Sequence, residues 1–170
     1  PSVPQHDAIV DMEQAGTQLL HAHGFERYEI SAWRHTKQGT PCLHNKLVWQ
    51  YGDYLGIGAG ACGKITTQQQ IIRTMHSKSP KTYIDSKDAL NDQIVATDAR
   101  AFEFMLNHLR LREPLSFALF EQRTKLSRQT IIHTLEQAPE GTVAIGREGI
   151  TLLERGHQFY NDLVALFLPD

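Results

Sequence analysis

The pattern of apolar and polar positions divides the chain into two stretches of different character. Over residues 7–23, Ile9, Met12, Leu19 and Leu20 fall near one face of a helix, and Gly24 supplies a C-terminal stop. Residues 25–33 alternate with period two, Tyr28, Ile30 and Ala32 on one side and Glu29 and Ser31 on the other, which predicts a single short strand. Residues 36–41 read as a loop and residues 54–57 as a second short apolar strand ending in glycines. Residues 65–74 predict a hairpin with polar 67–70 at its turn. A short helix opens on Pro80, since proline fits a first helical position, and the polar stretch 85–92 reads as a loop or linker.

The pattern then becomes helical. Thr97 or Asp98 can cap a helix running to about Leu111, with Phe102, Met105, Leu106 and Leu109 as its predicted buried face. A second helix is expected over 115–123, a third over 128–137 capped by Ser127, a hairpin over 141–150 and a last amphipathic helix over 151–168. Three helices, a hairpin and a helix is the order of a winged-helix-like module.

Composition narrows the function classes. The chain has 170 residues, 41% hydrophobic and 21% charged, enough apolar material for a globular core in one domain or two small ones. No run of eighteen apolar residues is present, so no membrane span is predicted. Residues 1–93 hold nine Lys/Arg and nine Asp/Glu, and residues 94–170 hold eight and ten. Neither part has the basic excess that phosphate-backbone binding requires, which argues against nucleic acid. The start, Pro1-Ser-Val-Pro-Gln-His6, carries neither an initiator Met nor a signal-peptide pattern. A helix followed by a glycine and a strand is half of a βαβ unit whose first strand would lie upstream. Truncation is therefore expected, with the two cysteines reduced in the cytoplasm.

Candidate chemistry gathers between Cys42 and Gly63. Cys42 and Cys62 stand twenty positions apart with no CxxC or CxxxCxxC in the chain, so it cannot hold an iron–sulfur cluster by itself; two ordinary thiols is the favoured reading. Cys42-x-His44-Asn45 precedes Trp49, and His and Cys are both haem-iron ligand types, with Trp and Leu suited to line a porphyrin face. A capping or structural histidine is the competing reading. Glycines 56, 58, 60 and 63 follow an apolar stretch and would let backbone with free amides approach a nucleotide or carboxylate; a tight packing turn explains them about as well. The letters of Gly58-x-Gly60-x-x-Gly63 match a dinucleotide fingerprint, but a hairpin, not a helix, is expected to follow. The candidate recognition helix 127–137 offers Arg128 against Glu136, too little for DNA readout.

Taken together, Tyr28-Glu-Ile-Ser-Ala32, Cys42-x-His44-Asn45, Trp49, Gly52-Asp-Tyr-Leu-Gly-Ile-Gly-Ala-Gly-Ala61, Arg73-Thr74, Phe102-Glu-Phe-Met105, Leu109-Arg110 and Gly156 with Phe159-Tyr-Asn161 resemble one family in order and spacing. The chain is similar, over essentially its whole length, to the C-terminal part of the HemW haem-chaperone branch of the radical-SAM, oxygen-independent coproporphyrinogen III oxidase-like family. The resemblance implies an α/β plus α architecture: the C-terminal units of a partial TIM-like radical-SAM barrel over residues 1–93, then a helical winged-helix-like domain over 94–170. It implies haem, S-adenosyl-L-methionine and a [4Fe-4S] cluster as cofactors, the cluster ligands lying outside this chain. Ala61, with Gly60 and Gly58, corresponds to the segment that touches S-adenosylmethionine. His44 and Asn45 open the family's HNxxYW haem motif, with His44 the candidate iron ligand and Cys42 beside it. The family's Tyr is Val48 here, and its usual His after the glycine run is Cys62. The parent family consists of radical-SAM oxidoreductases, and this chain without the cluster motif is expected to be inactive alone. Haem or porphyrin and haem-receiving proteins are the implied partners. A cofactor-free winged-helix interaction module, or a degenerate homologue, is the alternative.

Overall fold

The computed structural model describes residues 3–85 and 90–169. The chain forms two compact units, Pro1–Cys42 and Leu43–Asp170.

The first unit is a helix and a hairpin. Helix α1 spans His6–Ala22, and Gly24 (φ 79°) turns the chain into strands β1 (Phe25–Glu29) and β2 (Ala32–His35), paired antiparallel. The single strand expected over 25–33 is therefore a hairpin. Its turn is held by Glu29, whose Oε1 accepts from the Ser31 amide (3.2 Å) and hydroxyl (2.9 Å), a local bond that period-two alternation does not reveal. The Arg27 guanidinium fastens the hairpin to α1 by donating to Glu13 (3.1 Å) and Thr17 (3.3 Å) while lying over the Trp33 ring. The face of α1 expected to be buried is not: Ile9, Met12 and Leu19 are exposed, and α1 holds no buried residue.

The second unit begins with α2 (Leu43–Trp49). After an irregular glycine-rich segment come strands β3 (Cys62–Thr66) and β4 (Ile71–His76), joined by the expected turn, in which Thr67 Oγ1 accepts from the Gln69 and Gln70 amides. The strand expected over 54–57 reduces to a single bridge, Tyr54 with Lys64, because the following glycines leave the ladder. Helix α3 (Pro80–Asp85) opens on its proline as expected. Strand β5 (Leu90–Ile94) completes an antiparallel sheet of order β3-β4-β5. Part of the loop expected over 85–92 is thus an edge strand, and the rest, 86–89, lies outside the described residues. Asn91, Asp92 and Gln93 have weak strand propensity, and pairing with β4 overrides it.

Helix α4 (Ala99–His108) starts at Asp98, which accepts from the Ala99 amide (2.9 Å). Strand β6 (Leu115–Ser116), α5 (Phe117–Thr124), α6 (Gln129–Leu135), β7 (Val143–Ile145) and β8 (Gly149–Leu152) follow, with a sheet of order β6-β8-β7. The predicted face of α4 is half right: Met105 and Leu109 are buried as expected, but Ala101, Phe104 and His108 complete the buried stripe, whereas Leu106 is 40% exposed. Polar letters disguised that stripe, since buried Arg100 and His108 belong to it. The last predicted helix is shorter and broken into α7 (Glu154–Gln158) and α8 (Tyr160–Ala165), because Thr151 and Leu152 complete β8. Phe104, Met105, Phe120, Ile131, Leu135, Ile150 and Leu163 form the centre of the core, with Phe104 edge-on to Phe120.

Candidate functional site

The segment singled out in the sequence divides between the two units. Cys42 closes the first, exposed, its amide donating to the Tyr28 hydroxyl (3.4 Å). His44 and Asn45 open the second on α2. The His44 side chain is exposed and makes no hydrogen bond or ion pair among the described residues. Leu43 (80% exposed) and Leu47 (37%), four residues apart, share a helix face beside it. The remainder of α2 is committed to packing. Lys46 and Gln50 both donate to Glu113 (2.6 Å each), and Trp49 lies under the Arg110 guanidinium, 4.3 Å from its ring centre. Trp49 is therefore covered on one face and not free to line a porphyrin there. Burial pushes the Glu113 carboxyl up, but the hydrogen bonds from Lys46 and Gln50 outweigh it and hold its pKa below the ordinary value.

Helix α2 ends in a six-residue closure: the Tyr51 amide donates to Val48 O (3.0 Å) and the Gly52 amide to Leu47 O (2.8 Å). The left-handed residue of this closure, usually glycine, is Tyr51 at φ 55°. That conformation costs a side-chain-bearing residue about 1–2 kcal/mol. Three contacts offset it. The ring, 2% exposed, packs edge-on to Phe104; its hydroxyl donates to Glu103 Oε2 (2.6 Å); and Lys64 Nζ sits 4.0 Å above the ring centre. Burial, reinforced by the Glu103 hydrogen bond, drives the Tyr51 hydroxyl far above its ordinary pKa, so it stays a donor. Gly52 follows because a Cβ there would meet the Leu47 carbonyl oxygen at 2.7 Å.

The glycine segment is held from below by Lys64. Its ammonium, 2% exposed, donates to Tyr51 O (2.9 Å), Asp53 Oδ1 (3.0 Å) and Thr66 Oγ1 (3.0 Å), satisfying all three of its protons. Burial lowers the Lys64 pKa, and the Asp53 charge partly restores it. Three of the segment's amides are engaged: Gly58 donates to the Tyr83 hydroxyl (3.1 Å), Gly60 to Ser77 O (2.8 Å) and Ala61 to Gly58 O (3.2 Å). Its curvature needs glycine at positive φ, 109° at Gly58 and 74° at Gly60, and a Cβ on Gly58 would meet nothing within 4 Å. The segment is thus a wall whose open side admits close approach of a ligand surface, with the Gly58, Gly60 and Ala61 amides already taken.

Cys62 carries an exposed thiol at the edge of a cleft of about 340 Å³ over the sheet, where Arg73, Met75, Asn91 and Gln93 also line it. No group of three or more His, Cys, Asp or Glu side chains among the described residues is placed to hold a metal ion. The chain has two cysteines, so an iron–sulfur cluster does not fit its donor set. Sequence reasoning missed Tyr51, Lys64 and Glu103. Nothing in their spacing marks them, since Tyr51 meets Lys64 across 13 positions and Glu103 across 52.

Comparison with known proteins shows what the chain is similar to. Residues 95–156 match the HemN C-terminal domain family. The chain's fold is similar to that of coproporphyrinogen III oxidase (HemN) from Escherichia coli, a radical SAM enzyme, with a TM-score of 0.65, 15% identity and 96% of this chain covered. The chain is similar over its full length to the C-terminal part of HemW/HemN-like radical-SAM proteins. It is 35% identical to the heme chaperone HemW of Haemophilus influenzae and 34% identical to that of Escherichia coli. It spans 44% and 45% of those two proteins and 42% of the HemN chain.

Proposed function

We propose that this chain is a haem-binding part of a HemW-type protein, with α2 presenting His44 to the haem iron and Asn45 beside it. The carrying observation is the exposed, unpartnered His44 imidazole flanked by exposed Leu43 and Leu47 on one helix. Imidazole suits ferric haem iron, and leucine side chains suit the porphyrin plane. Val48 removes the phenol of the family motif and Trp49 is turned to Arg110, so the contact reduces to the imidazole and the two leucines. Haem binding to the relatives named heme chaperones supports the reading. Haem or a porphyrin is the ligand, haem-receiving proteins are the partners, and the cytoplasm is the compartment. Among the described residues no helix is long and apolar enough to cross a membrane.

In the same reading Ala61, Gly60 and Gly58 form the wall against S-adenosyl-L-methionine, through shape and not amide donors. A [4Fe-4S] cluster, bound outside this chain, would supply the radical chemistry of the parent family. Residues 94–170 correspond to a winged-helix-like domain, a reading supported by the order α4-β6-α5-α6-β7-β8 with β7 and β8 as the wing; the family resemblance assigns residues 1–93 to the end of a TIM-like barrel. A DNA-reading role for that domain is disfavoured, because Arg128 at the start of α6 is spent on Glu121 (2.9 Å).

Haemin titration followed in the Soret region tests the reading. Wild type should shift the Soret band on binding, and His44→Ala should weaken binding about tenfold or more and change the band position. Identical spectra and affinities for the two proteins would remove His44 as a ligand.

A further inference from the structure

A chain of six polar side chains joins α4 to the glycine segment and to the end of α2. Arg73 on β4 donates to both carboxylate oxygens of Glu103 on α4 (2.6 and 3.3 Å). Glu103 accepts the Tyr51 hydroxyl (2.6 Å), Lys64 takes the Tyr51 carbonyl (2.9 Å), and Lys64 and Thr66 share Asp53 Oδ1 (3.0 and 2.7 Å). Tyr51 is where two candidate binding elements meet: α2 with His44 ends two residues before it, and the glycine run starts at Gly52. The left-handed Tyr51 backbone fixes the angle between them. A backbone held in an unfavourable region persists only where surrounding contacts over-determine it. Those contacts include one from residue 103, inside the segment 95–156 that matches the HemN C-terminal domain.

We propose that Glu103 is a positioning residue: through the Tyr51 hydroxyl, the C-terminal domain sets the pose of the His44 helix and of the glycine wall. Glu103 reaches the His44 helix and the glycine wall through the Tyr51 hydroxyl, and its other partner, Arg73, ties it to β4. The haem arm of the test below rests on the reading of His44 given above; the exchange arm does not.

The test uses the full 170-residue chain, with Tyr51→Phe removing only the hydroxyl, Glu103→Gln keeping an acceptor for it, and Arg112→Ala as a surface ion-pair control. Amide hydrogen exchange is read segment by segment, and haemin binding by Soret titration. A hydrogen bond to a charged group is worth enough that Tyr51→Phe should speed exchange of the 52–61 amides about tenfold or more. Amides of 115–152 should keep their protection, Glu103→Gln should fall between wild type and Tyr51→Phe, and Arg112→Ala should match wild type. Haemin affinity of Tyr51→Phe should drop several-fold with an unshifted Soret maximum, since the ligand itself is retained. Unchanged exchange over 52–61 would overturn the proposal. So would equal loss of protection over 115–152, which marks global destabilisation, or equal effects of Glu103→Gln and Tyr51→Phe. If wild type binds no haemin, the haem reading fails while the exchange arm still decides the role of Glu103.

Discussion

At the scale of single residues, burial decides which polar groups matter. His108 is 2% exposed, stacked on Phe104, and its Nε2 has no hydrogen-bond partner among the described residues. Burial lowers its pKa to about 4 despite the Glu113 carboxylate, with Lys46 adding to the lowering. The native state therefore keeps His108 neutral, whereas the unfolded chain takes up a proton near the ordinary pH of 6.5. Its contribution is complete above pH 6.5 and is lost as pH falls from there to about 4, by about 3 kcal/mol at one pKa unit per 1.36 kcal/mol. Denaturant melts at pH 7 and pH 4.5 should show a steeper loss for wild type than for His108→Leu; equal slopes would show that this imidazole is not the cause. Gly56 gives a second residue-scale prediction, argued from space and not from φ. A Cβ there would meet the Cys62 carbonyl carbon at 2.6 Å, so Gly56→Ala must displace backbone and should cost about 1–3 kcal/mol, read from a shifted denaturation midpoint.

At the scale of elements, the legible parts were those with strong local signals. Helix α1 was placed by its period and by Gly24, the β3–β4 hairpin by the polar run around Thr67, and α3 by Pro80. The start of α4 followed from Asp98. Elements set by tertiary pairing were not legible: β5 is a strand only because β4 offers its edge, and β6 is two residues long because β8 passes beside it. The phase of α4 was partly misread for a physical reason, since Arg100 finds the Val95 and Thr124 carbonyls (3.4 Å each) and so enters the core as a polar letter. The candidate site was half legible. His44 and the glycines announced themselves by type and spacing, whereas the latch through Tyr51, Lys64 and Glu103 depends on contacts between distant residues. The corrected phase makes its own prediction. Phe104, fully buried against Tyr51, His108 and Phe120, should cost about 3–5 kcal/mol when changed to Ala, whereas Leu106→Ala, at 40% exposure, should cost under about 1 kcal/mol. Equal effects in denaturant melts would restore the face first expected from the sequence.

At the scale of the whole molecule, the distribution of buried side chains separates the two units energetically. Every buried apolar residue from Tyr51 to Phe167 belongs to Leu43–Asp170. Among the described residues of Pro1–Cys42 the buried side chain is Glu29, and α1 buries no residue. A helix and a two-stranded hairpin with so little buried apolar area are marginal by themselves, because hydrophobic gain scales with area removed from water while chain entropy scales with length. The larger unit has a continuous core of helices and two three-stranded sheets, its buried apolar residues running from Tyr51 to Phe167. Residues 43–170 expressed alone should therefore melt cooperatively with a midpoint within about 5 °C of the full chain. Limited proteolysis of the full chain should remove residues before Leu43 first and leave a resistant fragment. Loss of cooperative melting in 43–170 would mean that α1 and the first hairpin contribute core contacts. If the fragment also retains the haemin response of the full chain, Cys42 is dispensable and His44 carries the ligand contact from within the larger unit.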